Sequence, residues 1–360
     1  MTLDAAAEQE RADLAASLQA ALGADYRVER ELGAGGFAVV FLVLDLTLKR
    51  RLAVKVIAPD VLATHTALAR FRREAETIAQ LAHPHIVPLH FIGDKDGLVY
   101  IAMAFVDGGA LDAWVTDDPA RQRSAVEVRR VMREVASALG HAHKRGVVHR
   151  DIKPHNVLVE AESGRCLVTD FGIASTVDGG RLTATGMMVG TPTYVAPEQV
   201  TGEASDHRAD LYALGVMAWE LLTGHAPFEA PTPTAALMER LGPPPPPVSD
   251  VRSGVPPELD AAIRACLEPD PALRVQSAEA LLAILDGEVT ATNAWSATFT
   301  RSVTPVLAAP LPALPVTGEL LSEAANHCRW RYPDGGDLPT EEQWEAAAPR
   351  RRRAPLSVGR

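Results

Sequence analysis

Four polar residues in the middle of the chain have the types and spacing that phosphoryl transfer requires. Asp151 can accept the proton of an attacking hydroxyl group, and Lys153 can neutralise charge on the transferred phosphate. Asn156 and Asp170 offer the hard oxygen ligands that Mg²⁺ prefers. The first three lie in His-Arg-Asp-Ile-Lys-Pro-His-Asn at 149–156, and Asp170 opens an Asp-Phe-Gly triplet after a predicted hairpin.

A glycine-rich turn near the N-terminus is typical of phosphate binding. It reads Gly-Ala-Gly-Gly-Phe-Ala-Val-Val at 33–40, with Ala38 where a third glycine would complete the pattern. A dinucleotide-binding turn opens a helix, whereas this turn joins two strand-like segments, 26–32 and 39–44. We therefore predict a hairpin whose backbone N–H groups cover phosphates, and we expect the Ala38 methyl group to stiffen it slightly.

Lys55 lies in the next apolar segment, where a lysine either reaches out to solvent or needs an acidic partner. The helix predicted over 68–81 supplies two candidates, Glu74 and Glu76. Residues two apart on a helix do not share a face, so only one of them can point at Lys55. Position relative to Phe71, on the apolar side of the helix, favours Glu74.

Together these segments resemble the eukaryotic-type protein kinases, in the serine/threonine branch that is common in bacteria. The resemblance covers 26–287 and implies an α+β, bilobal fold, with a small β-rich N-lobe (26–107) that carries one helix and a larger, mainly α-helical C-lobe (108–287). It also implies that ATP binds between the lobes with Mg²⁺, or alternatively Mn²⁺, on its phosphates. Lys55 would pair with Glu74 and orient the α- and β-phosphates.

The same resemblance implies which residues bind the nucleotide. Met103 would close the back of the adenine pocket, the backbone of 104–106 would bond the base, and Asp107 would reach the ribose. Relatives often carry an acid where Ala104 stands, but contacts at this hinge are mostly through the main chain. The full set is Leu32, Gly33, Ala34, Gly35, Gly36, Phe37, Ala38, Val40, Ala53, Lys55, Met103, Ala104, Phe105, Val106, Asp107 and Leu158.

The segment after Asp170 is expected to carry regulation. Thr183 and Thr185 occupy the positions at which related bacterial kinases phosphorylate themselves, although ordinary loop threonines remain the alternative. Arg150, beside the catalytic acid, supplies a cation that could pair with such a phosphate and order the loop.

The sequence Gly-Thr-Pro-Thr-Tyr-Val-Ala-Pro-Glu at 190–198 matches the substrate-docking loop of this family. Thr191 would hydrogen-bond Lys153 and Asp151, and this combination points to serine or threonine acceptors rather than tyrosine. The acceptors would be protein side chains, and a homodimer would allow one copy to phosphorylate another.

Three residues are assigned structural roles by the resemblance. Glu198 would form a buried ion pair with Arg274, which we interpret as architecture rather than chemistry. The segment 210–222 is apolar nearly all round and is predicted to be a fully buried helix. Asp210, at its start, would hold the backbone of the catalytic loop.

Composition sets limits on partners and location. The formal net charge of −11 argues against a nucleic-acid partner, because phosphate binding needs a basic face. Three widely spaced cysteines favour a reducing cytoplasm over a disulfide framework. No segment reads as a signal peptide or as a membrane span. The histidine pairs 83/85 and 141/143 lack ligand spacing, so we interpret them as structural rather than metal-binding.

The two ends of the chain lie outside the kinase-like region. Residues 1–25 predict a short amphipathic helix, with leucines at every fourth position from Leu14 to Leu22. A Pro/Ala/Thr-rich linker is predicted at 288–320. In the tail, 321–360, Cys-Arg-Trp and Leu-Pro-Thr-Glu-Glu-Gln-Trp-Glu resemble the opening of a formylglycine-generating (sulfatase-modifying) domain, which would make the chain a truncated fusion. An amphipathic tail helix is the alternative.

Two other classes of protein share parts of this pattern. A pseudokinase scaffold would bind ATP and partners without transferring phosphate, but all the catalytic residue types are present here. A small-molecule kinase would not need the docking loop or the Glu198–Arg274 pair.

Overall fold

The structure is a computed structural model that describes residues 3–35, 38–58, 64–114, 122–171, 192–228 and 232–288. Several predictions fall outside these ranges. They concern Gly36 and Phe37 of the glycine-rich turn, Thr183, Thr185 and Thr191, nearly all of the linker, and the whole tail.

The N-terminal part is a five-stranded antiparallel sheet with a helix packed against each face. The strands are hydrogen-bonded in the order β1-β2-β3-β5-β4. The elements are α1 (Leu3–Leu22), β1 (Tyr26–Gly35), β2 (Ala38–Asp45), β3 (Arg50–Ile57), α2 (His65–Ala79), β4 (Leu89–Lys95) and β5 (Leu98–Ala104).

Alternation along β5 explains how the sheet acquires two apolar faces. Successive side chains of a strand point to opposite sides. Leu98 and Tyr100 belong to an outer cluster, whereas Val99 and Ile101 belong to the main core. Helix α2 packs on the inner side through Phe71, which is almost completely buried.

Helix α2 begins three residues before its predicted start at 68. The earlier start follows from the side chain of Thr64, which accepts a hydrogen bond from the backbone N–H of Ala67. A threonine cap of this kind satisfies an N–H group that would otherwise have no partner in the first turn.

Helix α1 covers the outer face of the sheet. Leu18 is fully buried in the outer cluster, and Leu14 and Leu22 pack beside it. The side chain of Gln19 donates to the carbonyl of Tyr26 over 2.9 Å and accepts from the N–H of Val28 over 2.9 Å. The predicted N-terminal helix is therefore attached to the sheet by both apolar packing and hydrogen bonds.

The C-terminal part is mainly helical and contains one small sheet. Its strands are β6 (Gly108–Ala110), β7 (Val157–Glu160) and β8 (Cys166–Val168), and short 3₁₀ turns occur at Leu111–Trp114, Pro154–Asn156 and Pro192–Tyr194. Its helices are α3 (Ala125–His143), α4 (Pro197–Thr201), α5 (Arg208–Thr223), α6 (Pro233–Arg240), α7 (Val248–Val251), α8 (Pro257–Cys266) and α9 (Ala278–Leu285). In the described ranges, no helix combines the length and the apolar character needed to cross a membrane.

Helices α3 and α5 form the centre of this part. Ser124 and Glu127 form a reciprocal capping box at the start of α3, as the Ser-x-x-Glu spacing indicates. Every residue of α5 after Arg208 is buried, in agreement with its nearly uniform apolar sequence. A Cβ atom at Gly215 would lie 2.5 Å from that of Cys266, so the absence of a side chain there allows α5 and α8 to approach closely.

Replacement of Leu18 by alanine tests how strongly α1 is bound to the sheet. We expect Leu18→Ala to lower the free energy of unfolding by about 2–4 kcal/mol, because it leaves a cavity in the outer cluster. The matched control is Leu48→Ala. Because Leu48 is 63% exposed, this change should alter the free energy of unfolding by no more than about 0.5 kcal/mol. Urea denaturation followed by circular dichroism measures both, and equal midpoints for the two variants would contradict the packing role of α1.

Candidate active site

A cavity of about 500 Å³ lies between the sheet of the N-terminal part and the catalytic loop. Most predicted nucleotide-binding and catalytic residues line it. They are Leu32, Gly33, Ala34, Gly35, Ala38, Val40, Ala53, Lys55, Met103, Ala104, Phe105, Val106, Asp151, Lys153, Asn156, Leu158 and Asp170.

Two described residues of the predicted set, Glu74 and Asp107, do not line the cavity. The side chain of Asp107 is exposed, and its carbonyl accepts a hydrogen bond from the N–H of Ala161 over 2.8 Å. Its contact with the ribose therefore stays a prediction.

The cavity wall also contains residues that the sequence did not indicate. Ile57 lies two positions after Lys55 on β3, so strand alternation was a signal that could have found it. Thr169 immediately precedes Asp170, and its hydroxyl group lies 3.6 Å from the sulfur of Met103. The remaining additions are Gly108, Gly109, Ala110 and His155.

The side chains of Lys153 and Asn156 converge on Asp151. Lys153 Nζ donates to Asp151 Oδ2 over 2.8 Å, and Asn156 Nδ2 donates to the same oxygen over 2.9 Å. Asn156 Nδ2 also donates to the Asp151 carbonyl over 2.7 Å. Because both N–H bonds of the amide are used, Asn156 presents its oxygen as the atom that can bind a cation.

The buried carboxylate of Asp210 holds the backbone of the catalytic loop. It accepts hydrogen bonds from the N–H groups of His149 and Arg150, over 2.8 and 2.7 Å. His143 Nε2 lies 2.8 Å from the same carboxylate. Arg150 has a φ of 66°, a left-handed conformation that is uncommon for a residue other than glycine. The Asp210 contacts therefore stabilise the strained turn that leads into Asp151.

Lys55 contacts the second predicted metal ligand. Its Nζ atom lies 2.8 Å from Asp170 Oδ1, and Asp170 also has a left-handed φ, of 61°. On α2, Glu74 is half-buried whereas Glu76 is exposed. This difference favours Glu74 over Glu76 as the acidic partner, and the Lys55–Glu74 ion pair stays a prediction.

His149 connects the two catalytic segments. Its Nε2 atom lies 2.8 Å from the carbonyl oxygen of Thr169, and its ring centroid lies 4.7 Å from that of Phe171. The imidazole therefore contacts the residues on both sides of Asp170, through the carbonyl of Thr169 and the ring of Phe171. The sequence showed His149 only as part of a motif and gave no sign of this contact.

Arg274 and Glu198 form a buried, bidentate ion pair. The two N···O distances are 2.7 and 2.9 Å, and the side chains are 0% and 3% exposed. The remaining N–H groups of the guanidinium donate to three backbone carbonyls, of Arg208, Glu268 and Pro269. All five donors of Arg274 are thus satisfied, which is the condition for burying this cation without a large cost.

A second polar contact at the docking loop joins residues whose spacing in the sequence gives no signal. Tyr194 donates from its hydroxyl group to Glu220 Oε2 over 2.5 Å. Burial, together with the Glu220 carboxylate, raises the pKa of Tyr194 well above its ordinary value. The tyrosine therefore stays a hydrogen-bond donor and anchors the 3₁₀ turn at 192–194 to α5.

The donor set suits a hard cation bound together with phosphates. Asp170 supplies a carboxylate and Asn156 an amide oxygen on the same cavity wall. Within the described ranges, no group of three or more His, Cys, Asp or Glu side chains could hold a metal by itself. The pair therefore fits an ion that takes its remaining ligands from a nucleotide and water, as Mg²⁺ does.

Comparison with known proteins places this site in context. The family model described as "Protein kinase domain" matches residues 26–283. The chain is 43% identical over 262 residues to serine/threonine-protein kinase PknJ of Mycobacterium tuberculosis, covering 71% of this chain and 44% of PknJ. It is 35% identical over 255 residues to serine/threonine-protein kinase PrkC of Bacillus subtilis, covering 71% of this chain and 39% of PrkC. The chain thus spans less than half the length of these curated relatives.

A solved structure also shows the similarity to protein kinases. The crystal structure of the Mycobacterium tuberculosis PknI kinase domain matches with a TM-score of 0.58 and 33% sequence identity, over 74% of this chain and 97% of that one. The predicted α+β, bilobal fold is therefore confirmed.

The Glu198–Arg274 pair gives a stability test. We expect Arg274→Met to lower the free energy of unfolding by about 3–5 kcal/mol, because the carboxylate of Glu198 stays buried without its counter-ion. The double variant Glu198→Leu with Arg274→Met removes both charges and should regain part of this loss. Arg165→Met is the control, since the Arg165 side chain is 40% exposed and its ion pair with Glu160 should be worth at most about 1 kcal/mol. Equal denaturation midpoints for Arg274→Met and the control would refute a stabilising role for the pair.

Proposed function

The chain belongs to the protein kinase family, and on that basis we propose that it transfers the γ-phosphoryl group of ATP to serine or threonine hydroxyl groups of proteins. The observation that carries the proposal is the convergence of Lys55, Asp151, Lys153, Asn156 and Asp170 on one cavity. Transfer of this kind depends mainly on positioning and on stabilisation of charge.

The adenine base would lie between apolar side chains of the two parts, including Val40, Ala53 and Leu158. The N–H of Ala104 already donates to the carbonyl of Pro88 over 2.9 Å. An N–H donor to the base would therefore come from residue 105 or 106, whereas Ala104 would contact the base through its carbonyl oxygen. The phosphates would lie under the glycine-rich turn, with Lys55 beside the α- and β-phosphates.

Asp170 and Asn156 would hold Mg²⁺, for which Mn²⁺ could substitute. When bound, the ion neutralises charge on the β- and γ-phosphates. The hydrogen bonds of Asn156 to Asp151 keep its amide oxygen directed to the metal position. The hydrogen bond of His149 to the Thr169 carbonyl supports the left-handed turn at Asp170 in the same way.

Asp151 would accept the proton of the attacking hydroxyl group. Its carboxylate is oriented by Lys153 and Asn156, and Asp210 sets the backbone turn that presents it. The ammonium group of Lys153 lies 2.8 Å from Asp151 Oδ2 and would stabilise negative charge on the transferred phosphoryl group. Thr191, in the docking loop, would hold this pair and favour serine and threonine acceptors.

Regulation would act through the segment between Asp170 and the docking loop. Phosphorylation of Thr183 or Thr185 would add negative charge near Arg150, whose side chain is exposed, and order the loop. Transfer between two copies of the chain, as a homodimer or in a transient encounter, would supply this phosphate. The net charge of −11 and the three cysteines support a cytoplasmic protein without a nucleic-acid partner.

Autophosphorylation of the full chain with labelled ATP and Mg²⁺ tests the proposal. We expect label at Thr183 or Thr185, and we expect Asp151→Asn to lower the rate by at least about 100-fold, because it removes the general base. The binding of ATP should be unchanged in this variant.

The isosteric control is Asp96→Asn, at an exposed position with positive φ in the β4–β5 turn, where asparagine is tolerated. Wild-type protein that binds ATP but incorporates no label would overturn the proposal and favour a pseudokinase scaffold.

A further inference from the structure

Three histidines that have no part in the proposed phosphoryl transfer lie together where the 80–88 loop meets α3. His83 and His85 belong to the loop at 80–88, which connects α2 to β4, and His141 lies near the end of α3. The ring centroid of His83 is 5.6 Å from that of His85 and 5.0 Å from that of His141. All three side chains are partly buried.

The hydrogen bonds of His83 determine its protonation state. Its Nδ1 atom accepts from the backbone N–H of His85 over 3.2 Å, and its Nε2 atom lies 3.1 Å from Ser137 Oγ on α3. Because Nδ1 uses its lone pair as an acceptor, the ring is neutral and carries its proton on Nε2. A second proton would have to bind at Nδ1, and it would replace the hydrogen bond from His85.

The charges around the cluster do not favour an additional proton. Cysteine 166 is the titratable group on β8, and burial raises its pKa to about 12, so it stays neutral. Glu134 Oε2 lies 3.7 Å from His85 Nδ1, but Glu134 also pairs with Arg130 over 3.2 Å. Two further cations directly after α3, Arg145 and Lys144, act on His141, and Lys144 also pairs with Glu279 of α9.

The surroundings of His141 do not stabilise a positive charge on its ring. Its Nε2 atom is buried and has no hydrogen-bond partner among the described residues. Burial and the nearby cations Arg145 and Lys144 lower its pKa. A proton on His83 would therefore place positive charge beside a neutral, poorly solvated ring.

The histidine loop is bonded to the strand that leads into the active site. The N–H of Val87 donates to the carbonyl of Val168 over 3.0 Å, and the N–H of Val168 donates to the carbonyl of His85 over 2.9 Å. Val168 ends β8, two residues before Asp170. At its other end the loop follows α2, which carries Glu74. The loop therefore joins the element that carries Glu74, the predicted partner of Lys55, to the strand that leads to Asp170, which Lys55 contacts over 2.8 Å.

We propose that His83, His85 and His141 form a proton-sensitive latch, which fixes the 80–88 loop to α3 and β8 when neutral and releases it when His83 is protonated. Release loosens α2 and β8, so that the alignment of Glu74 and Asp170 with Lys55 is lost in acid. The consequence for phosphoryl transfer rests on the proposed function, whereas the opening of the loop does not.

The pH window follows from the burial of His83. Desolvation, together with the neighbouring His141 and His85, lowers the pKa of His83 from 6.5 to about 4. The closed loop therefore binds fewer protons than the open loop at any pH between these values. Its stability falls as the pH drops from about 6.5 towards 4, and it is unaffected above neutrality.

Amide hydrogen exchange of the full chain, corrected for the intrinsic effect of pH, measures the opening directly. With a pKa near 4 when closed and 6.5 when open, the opening equilibrium of 80–88 should increase roughly twentyfold from pH 7 to pH 5. His83→Gln keeps an N–H donor for Ser137 but cannot be protonated, so it should show a much smaller change than wild type over this range. His225→Gln, at an exposed histidine far from the cluster in sequence, is the matched control and should behave as wild type.

Equal pH dependence in wild type and His83→Gln would overturn the latch, as would unchanged exchange in wild type between pH 7 and pH 5. If His83→Gln does not fold, the imidazole NMR signal of His83 in wild type decides, and titration near 6.5 would refute the proposal. Autophosphorylation should fall more steeply from pH 7.5 to pH 5.5 in wild type than in His83→Gln. A chain inactive at both pH values contradicts the proposed function, and the exchange experiment still tests the latch.

Discussion

The carboxylate of Asp210, buried at the start of α5, accepts hydrogen bonds from two consecutive backbone N–H groups, those of His149 and Arg150. These bonds offset the cost of the left-handed conformation at Arg150, which a residue with a side chain disfavours. The direction of Asp151 follows from that turn. Asn156 and Lys153 are oriented by Asp151 in turn, so the geometry of the catalytic loop depends on one buried charge.

Buried ionic and polar groups serve this structure by fixing backbone rather than by adding net attraction. Arg274 bonds three carbonyl groups besides Glu198, and Tyr194 joins the docking loop to α5 through Glu220. Each group is costly to bury, and each is retained where a loop must have one conformation. Helix α5, in which every residue after Arg208 is buried, carries two of these anchors, Asp210 and Glu220.

The fold class and most of the cavity wall could be predicted because the motifs occur in order along the chain and each has a local meaning. Each pattern spans only a few consecutive residues, as do the glycines at a strand turn, the apolar segment around Lys55 and the capping box at Ser124. The contacts of Tyr194 with Glu220 and of His83 with Ser137 were missed, because they join residues 26 and 54 positions apart, where spacing carries no signal. The choice of Glu74 over Glu76 lies between these cases, since helix periodicity limits the options and burial decides.

The position of α1 has a consequence for the order in which the chain becomes structured during synthesis. The helix is made before the strands, yet the apolar face it covers includes Tyr100 of β5, roughly eighty residues beyond Leu18. Such a non-local contact cannot form until most of the sheet has left the ribosome. A nascent chain must therefore carry α1 without the β5 part of its packing surface, and the N-terminal part reaches its final packing only when β5 is inserted between β3 and β4.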